Sequence, residues 1–470
     1  MKHSYHARQQ DLLPLIEQFE RQLKNGRDWE LSETEFLQAA DYYERIDLVE
    51  KALEAVEHGL QQHDCSANLH AHKAHLLLRI ARADQALQLI DLAEAFGYSR
   101  MRLELLRARA FTQKRNYDTA LCLLQGLKCS NHGTPTERSE IHYQEAHIHE
   151  KQENFERMFS SLRQSLLLNP HHQNALERLY YCLDMGEWGS ESVELCGYLI
   201  DENPYSYLAW YNLGHAYYAQ FRYEKAIEAF EFCFLINENF IPAYYDCADV
   251  YLQICDFSGA LHCYRELLAF GEPNAELLFK LGLCHESLGQ LEEARCLFFR
   301  ALRRHPKHEE VYFHIGECFA REENWATAAE YYQKALDFDQ HREDILSAQA
   351  DALLRLGRFR EVEPLLIAAT EVLPEQSYLW MRLARFYLSM GQAEKALARL
   401  EDAEIDAYGA EMCYARAACH AHLDRMTEAL DALGEGLQLN FDQHYLFFEL
   451  APNRRADKQV RAAIHYFRYD

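Results

Sequence analysis

Histidine and cysteine are the residue types through which this sequence could do metal or nucleophile chemistry, with 24 and 14 copies respectively. The densest histidine groups are His70, His72 and His75, then His142, His147 and His149. A zinc site needs three or four ligands converging on one point. His142 and His149 are seven residues apart, so on a helix they are separated by two turns, about 10 Å along the axis. They cannot share an ion. His72 and His75 are close enough to touch, but no second pair stands at ligand spacing along the chain, so solvated or hydrogen-bonded histidines are expected and no metal site. The cysteines form no CxxC pair. Cys196, Cys233, Cys247 and Cys413 fall among apolar positions, where cysteine acts as a small hydrophobe. No segment matches the phosphate loop GxxxxGK[ST], the GxSxG elbow, GxGxxG after a strand, or HExxH. The expectation is a protein that is not an enzyme and carries no cofactor.

The surroundings agree. The chain has 48 Lys and Arg against 74 Asp and Glu, a formal charge of −26. That sign opposes the phosphate-neutralising surface that nucleic acids and anionic membranes require. The longest run without Asp, Glu, Lys or Arg, residues 203–221, holds Pro204, Asn212, His215, Gln220 and several tyrosines. It reads as an amphipathic helix and no membrane insertion is expected. Unpaired cysteine spacing and an N-terminal stretch without a secretory apolar core point to a reducing, cytoplasmic setting.

The elements that position these residues repeat. YLAWYNLGHAYYAQFRYEKAIEAFEFCFLINENF realigns thirty-four residues on as IPAYYDCADVYLQICDFSGALHCYRELLAFGEPN, then as AELLFKLGLCHESLGQLEEARCLFFRALRRHPKH. Repeats start at 33, 67, 101, 139, 173, 207, 241, 275, 309, 343, 377 and 410, with one short insertion after 134 and one deletion near 409. Position eight is Ala40, Ala74, Ala108, Ala146, Gly214, Ala248, Gly282, Gly316, Ala350, Ala384 or Ala417, and Tyr180 alone breaks the run. Small residues there let two helices approach closely. Position twenty is alanine in nine of the twelve units, among them Ala226, Ala260 and Ala294. Trp210, Leu213, Gly214 and Tyr217 form an i, i+3, i+4, i+7 stripe, and Ala294, Phe298 and Ala301 form a second. Each unit is therefore a helical hairpin with a polar or glycine turn, such as Gly289, Gly357 and Gly391.

This pattern resembles the tetratricopeptide repeat (TPR) family, whose W-x2-L-G-x2-Y…A-x3-F signature is met by Trp210, Leu213, Gly214, Tyr217, Ala226 and Phe230. The resemblance covers residues 33–443 and implies an all-α, right-handed superhelical solenoid of about twelve hairpins. The fifth unit, with Tyr180 at the small position and Ser192 at the alanine position, departs most. Residues 1–32, with Leu12, Leu13, Leu15, Ile16, Phe19 and Leu23, suit an N-terminal capping helix, and residues 444–470 a C-terminal one. The basic tail RRADKQVRAAIHYFRYD could alternatively bind a partner.

In this family the first helix of each hairpin lines the concave face, with positions two, five, nine, twelve and thirteen pointing into the groove. Carried over, these positions are Asn174, Glu177, Tyr181, Asp184 and Met185, then Leu208, Tyr211, His215 and Tyr218, then Tyr245, Asp249 and Leu252, then Phe279 and Glu286, then Phe313 and Glu317. Such an aromatic and acidic groove suits a protein partner offering a peptide or helix with apolar and basic residues. His75, Arg79, Arg102 and Arg109 give the earlier units a basic flank that could orient an acidic end. The family's two-carboxylate clamp is absent, because positions five and nine are Tyr211 and His215, Tyr245 and Asp249, Phe279 and Leu283, Phe313 and Glu317. The reading is a cytoplasmic scaffold or adaptor. A self-assembling homo-oligomer, or a peptide sensor acting with a separate effector, is the alternative.

Overall fold

The computed structural model describes residues 14–17, 19–21, 31–130, 133–186, 188–403 and 407–467, and among them there are helices and turns but no strand. The chain divides into two compact units, residues 1–250 and 251–470. The first holds six helical hairpins: Glu33–Arg45 with Val49–Gln62, Ala67–Arg79 with Ala83–Ala95, Arg100–Gln113 with Tyr117–Cys129, Pro135–Lys151 with Phe155–Leu168, Gln173–Asp184 with Gly189–Glu202, and Tyr207–Tyr218 with Tyr223–Ile236. Helix Ile241–Gln253 crosses the division. The second unit continues with Phe257–Glu266, then Ala275–Ser287 with Leu291–Arg304, Glu309–Arg321 with Trp325–Leu336, Glu343–Arg355 with Phe359–Val372, Ser377–Ser389 with Ala393–Ala403, and Ala410–His422 with Met426–Leu439, before Tyr445–Leu450 and Lys458–Phe467.

Local signals place the helix ends. Ser32 and Glu35, and Thr134 and Glu137, close reciprocal capping boxes, and Asn116, Asn154, Asn274 and Asn324 each accept a first-turn amide proton. The turn inside each hairpin repeats as faithfully as the sequence. Position fifteen has positive φ in eleven repeats, at Asp47, Ala81, Arg115, Glu153, Phe221, Cys255, Gly289, Glu323, Gly357, Gly391 and Asp424, with values from 54° to 75°. The twelfth such position is Glu187, outside the described residues. One left-handed residue at a fixed place ends the first helix and aims the second back along it.

Packing inside the hairpins follows a volume rule between positions eight and twenty-four. Where position eight is glycine, its facing residue is a large ring: Gly214 with Phe230, Gly282 with Phe298, Gly316 with Tyr332. A methyl group added at Gly214 or Gly316 would lie 2.5 Å from the Phe230 or Tyr332 ring, and one at Gly282 would collide with Phe298. Where position eight is alanine, as at Ala40, Ala74, Ala108, Ala146, Ala350, Ala384 and Ala417, position twenty-four is Val56, Ile90, Leu124, Leu162, Leu366, Leu400 and Leu433, all buried. Hence the summed volume of these pairs stays nearly constant, as close packing requires, while the seventh repeat exceeds it, with Ala248 at position eight and the buried Tyr264 at position twenty-four.

The fifth hairpin breaks the rule. Tyr180 occupies the small position, opposite the slot of Cys196, which is fully buried. The Tyr180 ring turns onto the next hairpin, with its centroid 5.3 Å from Tyr211 and 5.5 Å from His215. Helix Gln173–Asp184 makes its close backbone approach to Tyr207–Tyr218 and not to its own partner Gly189–Glu202. Trp188 fills part of the gap: its indole stacks on Phe159 at 4.5 Å and donates to the Cys182 carbonyl at 2.8 Å. The sequence left helix spacing around Tyr180 open, and the structure answers with a splayed hairpin.

At the start of the chain, Ile16 and Phe19 are buried against the first hairpin, Phe19 packing edge-on to Phe36, while Leu12, Leu13 and Leu23 lie outside the described residues. At the other end Leu446, Phe447, Leu450 and Val460 are buried in the core of the second unit.

The volume rule generates a coupled prediction. Gly282→Ala and Phe298→Leu should each lower the stability of the protein in chemical denaturation, Phe298→Leu by about 1 kcal/mol or more through its cavity. The double variant recreates the Ala350 and Leu366 pairing, so the two losses should be less than additive by about 1 kcal/mol. Additive losses would show that the two positions do not set one another's volume.

Candidate functional site

The opened fifth hairpin borders a cleft of 960 Å³ in the first unit. Its floor and walls come from the end of helix Gln173–Asp184 and the following loop, from Tyr207–Tyr218 and its turn, and from Asp246, Asp249 and Val250 on helix Ile241–Gln253. Of the sixteen positions expected to face a partner, Asp184, Met185, His215, Tyr218 and Asp249 line this cleft.

At its base is a charge relay of four residues from three consecutive repeats. His215, almost wholly buried, presents Nδ1 to Asp184 Oδ1 at 2.8 Å and Nε2 to Asp246 Oδ2 at 3.3 Å. The Tyr211 hydroxyl donates to that same Asp246 oxygen at 2.5 Å, so the imidazole Nε2 meets it as a charge rather than along a hydrogen-bond axis. Burial alone would lower the His215 pKa, but the two carboxylates outweigh it and push it up to about 9. His215 is therefore an imidazolium at neutral pH. Tyr211 moves far up from its ordinary value, because burial and the Asp246 charge both oppose its ionisation. The lining of the cleft contains Asp184, Asp246 and Asp249 and no lysine or arginine, so one imidazolium leaves it net negative.

The mouth is aromatic. Tyr218 is 38% exposed, Met185 51% and Phe221 78%. The Tyr223 ring lies 5.8 Å from Tyr218 and 6.3 Å from Phe221.

The other expected residues lie elsewhere. Tyr211, only 3% exposed, is part of the wall's interior and presents no free face. Tyr181 packs on Phe155, and Tyr245 is partly buried on helix Ile241–Gln253. Phe279, Glu286, Phe313 and Glu317 belong to the second unit. There Phe279 is buried among Phe298, His308 and His314. Glu286 is buried and holds His314 Nδ1 at 2.8 Å and Arg321 at 3.3 Å. Phe313 stacks beside Tyr332, whose hydroxyl donates to Glu317 at 2.6 Å. Position five thus mostly packs between neighbouring first helices instead of facing outward.

Two features escaped the sequence reading. Asp41, Glu44 and His72 bring donor atoms within 4.8 Å of one another, the carboxylates coming from the repeat before the histidine. Glu44 already contacts His72 at 3.4 Å, His75 at 2.9 Å and Arg79 at 3.4 Å, and hydrogen bonds from the two histidines hold its carboxyl well below the usual range. These contacts satisfy that carboxylate. The second feature is an arginine-lined cleft in the second unit. Its signal was in the sequence, since Arg321 and Arg355 share position thirteen of successive repeats.

Comparison with known proteins turns the repeat into a family. Models of the tetratricopeptide repeat match residues 139–172, 207–240, 245–303, 297–343 and 347–410, and two of these begin on repeat starts read from the sequence. The chain is a tetratricopeptide repeat protein. It is 27% identical to human tetratricopeptide repeat protein 6 over 148 residues, 32% of this chain and 28% of that one. It is 28% identical to the CTR9 homolog of Arabidopsis thaliana over 194 residues, 40% of this chain and 18% of that one. The chain thus spans under a third of the length of these relatives. Among solved structures it is similar to YrrB, described as a TPR protein with an unusual peptide-binding site, at TM-score 0.34 and 19% identity over 40% of this chain and 96% of that one. It is also similar to a chain of the APC/C hetero-tetramer Cut9–Hcn1, at TM-score 0.36 and 13% identity over 93% of each chain. TPR proteins generally serve protein–protein contacts and scaffolding, and TPR relatives are typically non-enzymatic.

The His215 relay makes the stability of this TPR protein pH-dependent. With a folded pKa near 9, above the unfolded value, its stabilisation is complete below the unfolded pKa of about 6.5 and is lost as pH rises through 9. The melting temperature should fall over that window, and His215→Gln should remove this part of the slope. An identical pH profile in the variant would place the charge elsewhere.

Proposed function

We propose that this TPR protein is a scaffold or adaptor whose first unit captures a segment of a partner protein in the Asp184, His215 and Asp249 cleft. The occupant is a peptide or helix with a basic side chain and apolar neighbours. Three carboxylates against one imidazolium supply the charge for Lys or Arg, and the Tyr218, Phe221 and Tyr223 rings supply an apolar and cation-accepting rim. Helix-in-groove and extended binding both fit a cleft of 960 Å³. Fourteen cysteines with none in a disulfide among the described residues support a reducing, cytoplasmic setting.

The observation that carries this reading is Phe221. It sits at φ 56°, the left-handed turn position that other repeats fill with glycine or with small or polar residues, and it is 78% exposed at the mouth of the cleft. A left-handed conformation costs a non-glycine residue roughly 1–2 kcal/mol, and an exposed ring gains nothing back from burial. A strained, solvated aromatic at the rim is what a ligand contact looks like before the ligand arrives.

The test is selection of displayed random peptides of about twelve residues on the wild-type protein, followed by calorimetry of an enriched sequence. Enriched peptides should carry Lys or Arg beside aromatic or aliphatic residues. Phe221→Gly should raise the melting temperature while weakening the peptide about tenfold, or about 1.4 kcal/mol, and Asp249→Asn should weaken it without changing stability. Enrichment of acidic peptides alone, or unaltered affinity in both variants, would overturn the reading.

A further inference from the structure

The second unit contains a cleft of 780 Å³ of the opposite character. Arg321 and Arg355 end helices Glu309–Arg321 and Glu343–Arg355, at the same repeat position, and Arg382 and Arg385 come from Ser377–Ser389. Against these four guanidinium groups the lining holds only two carboxylates, Glu317 and Asp351. Glu317 already accepts from the Tyr332 hydroxyl, and Asp351 binds Arg382 at 2.7 Å. Arg321 holds the Glu286 carbonyl at 3.0 Å and its carboxylate at 3.3 Å, and Arg385 meets Glu449 at 2.7 Å, but both arginines remain about half exposed. Arg355 lies over the Trp325 ring at 5.6 Å, and among the described residues no carboxylate stands within ion-pair distance of it.

An arginine fork offers five donors in a plane, so each of these groups keeps N–H bonds that no neighbour accepts. Trp325 and Phe386 give the same cleft an apolar floor. The excess of arginine runs against a chain charge of −26, so the basic character is local to this cleft and does not follow from the average surface.

We infer that this cleft binds an acidic segment of a partner protein, with Glu or Asp carboxylates bridging Arg355, Arg385 and Arg321 and an apolar side chain resting on Trp325 and Phe386. Bidentate carboxylate bonds to arginine give the site its register, and the ring floor gives it affinity. The site stands on the second unit alone and does not rest on the cleft of the first.

The experiment uses the full chain and a fluorescein-labelled peptide of about twelve residues, alternating glutamate with leucine and phenylalanine, read by anisotropy at about 150 mM salt. A glutamine counterpart of the same length is the comparison. The glutamate peptide should bind at least about tenfold more tightly than the glutamine one, a difference of about 1.4 kcal/mol. Arg355→Glu with Arg385→Glu should abolish binding, and Arg355→Gln with Arg385→Gln should weaken it, with helicity by circular dichroism unchanged. Arg300→Glu with Arg303→Glu, an equal charge change outside the cleft, should leave it intact. Equal binding of the two peptides, no binding of either, or equal loss in the Arg300→Glu, Arg303→Glu protein would overturn the inference.

Discussion

Two helices can cross closely only if the side chains at their crossing add up to a fixed volume, and in this protein that sum decides everything else. In every hairpin but the fifth, a small residue at position eight faces a larger one at position twenty-four. Glycine is paired with Phe230, Phe298 or Tyr332, and alanine at the positions named above with Val, Ile or Leu. The pairing differs from repeat to repeat while the geometry does not, so the constraint is on the pair and not on either residue. The left-handed residue at position fifteen is its companion, because it sets the angle at which the second helix returns to make the crossing.

The candidate site follows from the hairpin in which a tyrosine takes the small position. Tyr180 is too large for the crossing, and Cys196 across from it cannot draw the helices together. The tyrosine ring therefore finds its contacts on Tyr211 and His215 of the next repeat, and Trp188 occupies only part of the space left behind. What remains is a cleft whose base is fixed by the buried imidazolium between Asp184 and Asp246 and whose mouth carries Tyr218 and Phe221. The unit that departs most from the repeat in the sequence is, in the structure, the hairpin unlike its neighbours.

Repeat phase was legible in full, since it rests on alanine and glycine positions that physical packing enforces in every copy. Two family-model matches begin at residues 139 and 207, and positive φ recurs at the fifteenth place of each described unit. The site was legible in part. His215, Tyr218 and Asp249 do line a cleft, because the splayed fifth hairpin leaves space beside them. Tyr211 and Phe279 do not, because a ring at position five is long enough to reach the adjacent first helix and gains more from burial there than from solvent. Asp246 was missed for the same reason: only the fold brings it from one repeat onward to meet Tyr211 and His215. The arginines were visible as residues, but their excess over carboxylates appears only when Arg321, Arg355, Arg382 and Arg385 are seen to share one space.

The central claim is that a volume mismatch at Tyr180 holds the fifth hairpin open. The most direct measurement is a crystal structure of the Tyr180→Ala, Cys196→Leu protein, which restores the pairing found at Ala146 and Leu162. The account predicts that helices 173–184 and 189–202 close onto one another along their length and that the cleft above His215 is lost. Helices still splayed as in the wild type, with the cleft intact, would contradict it.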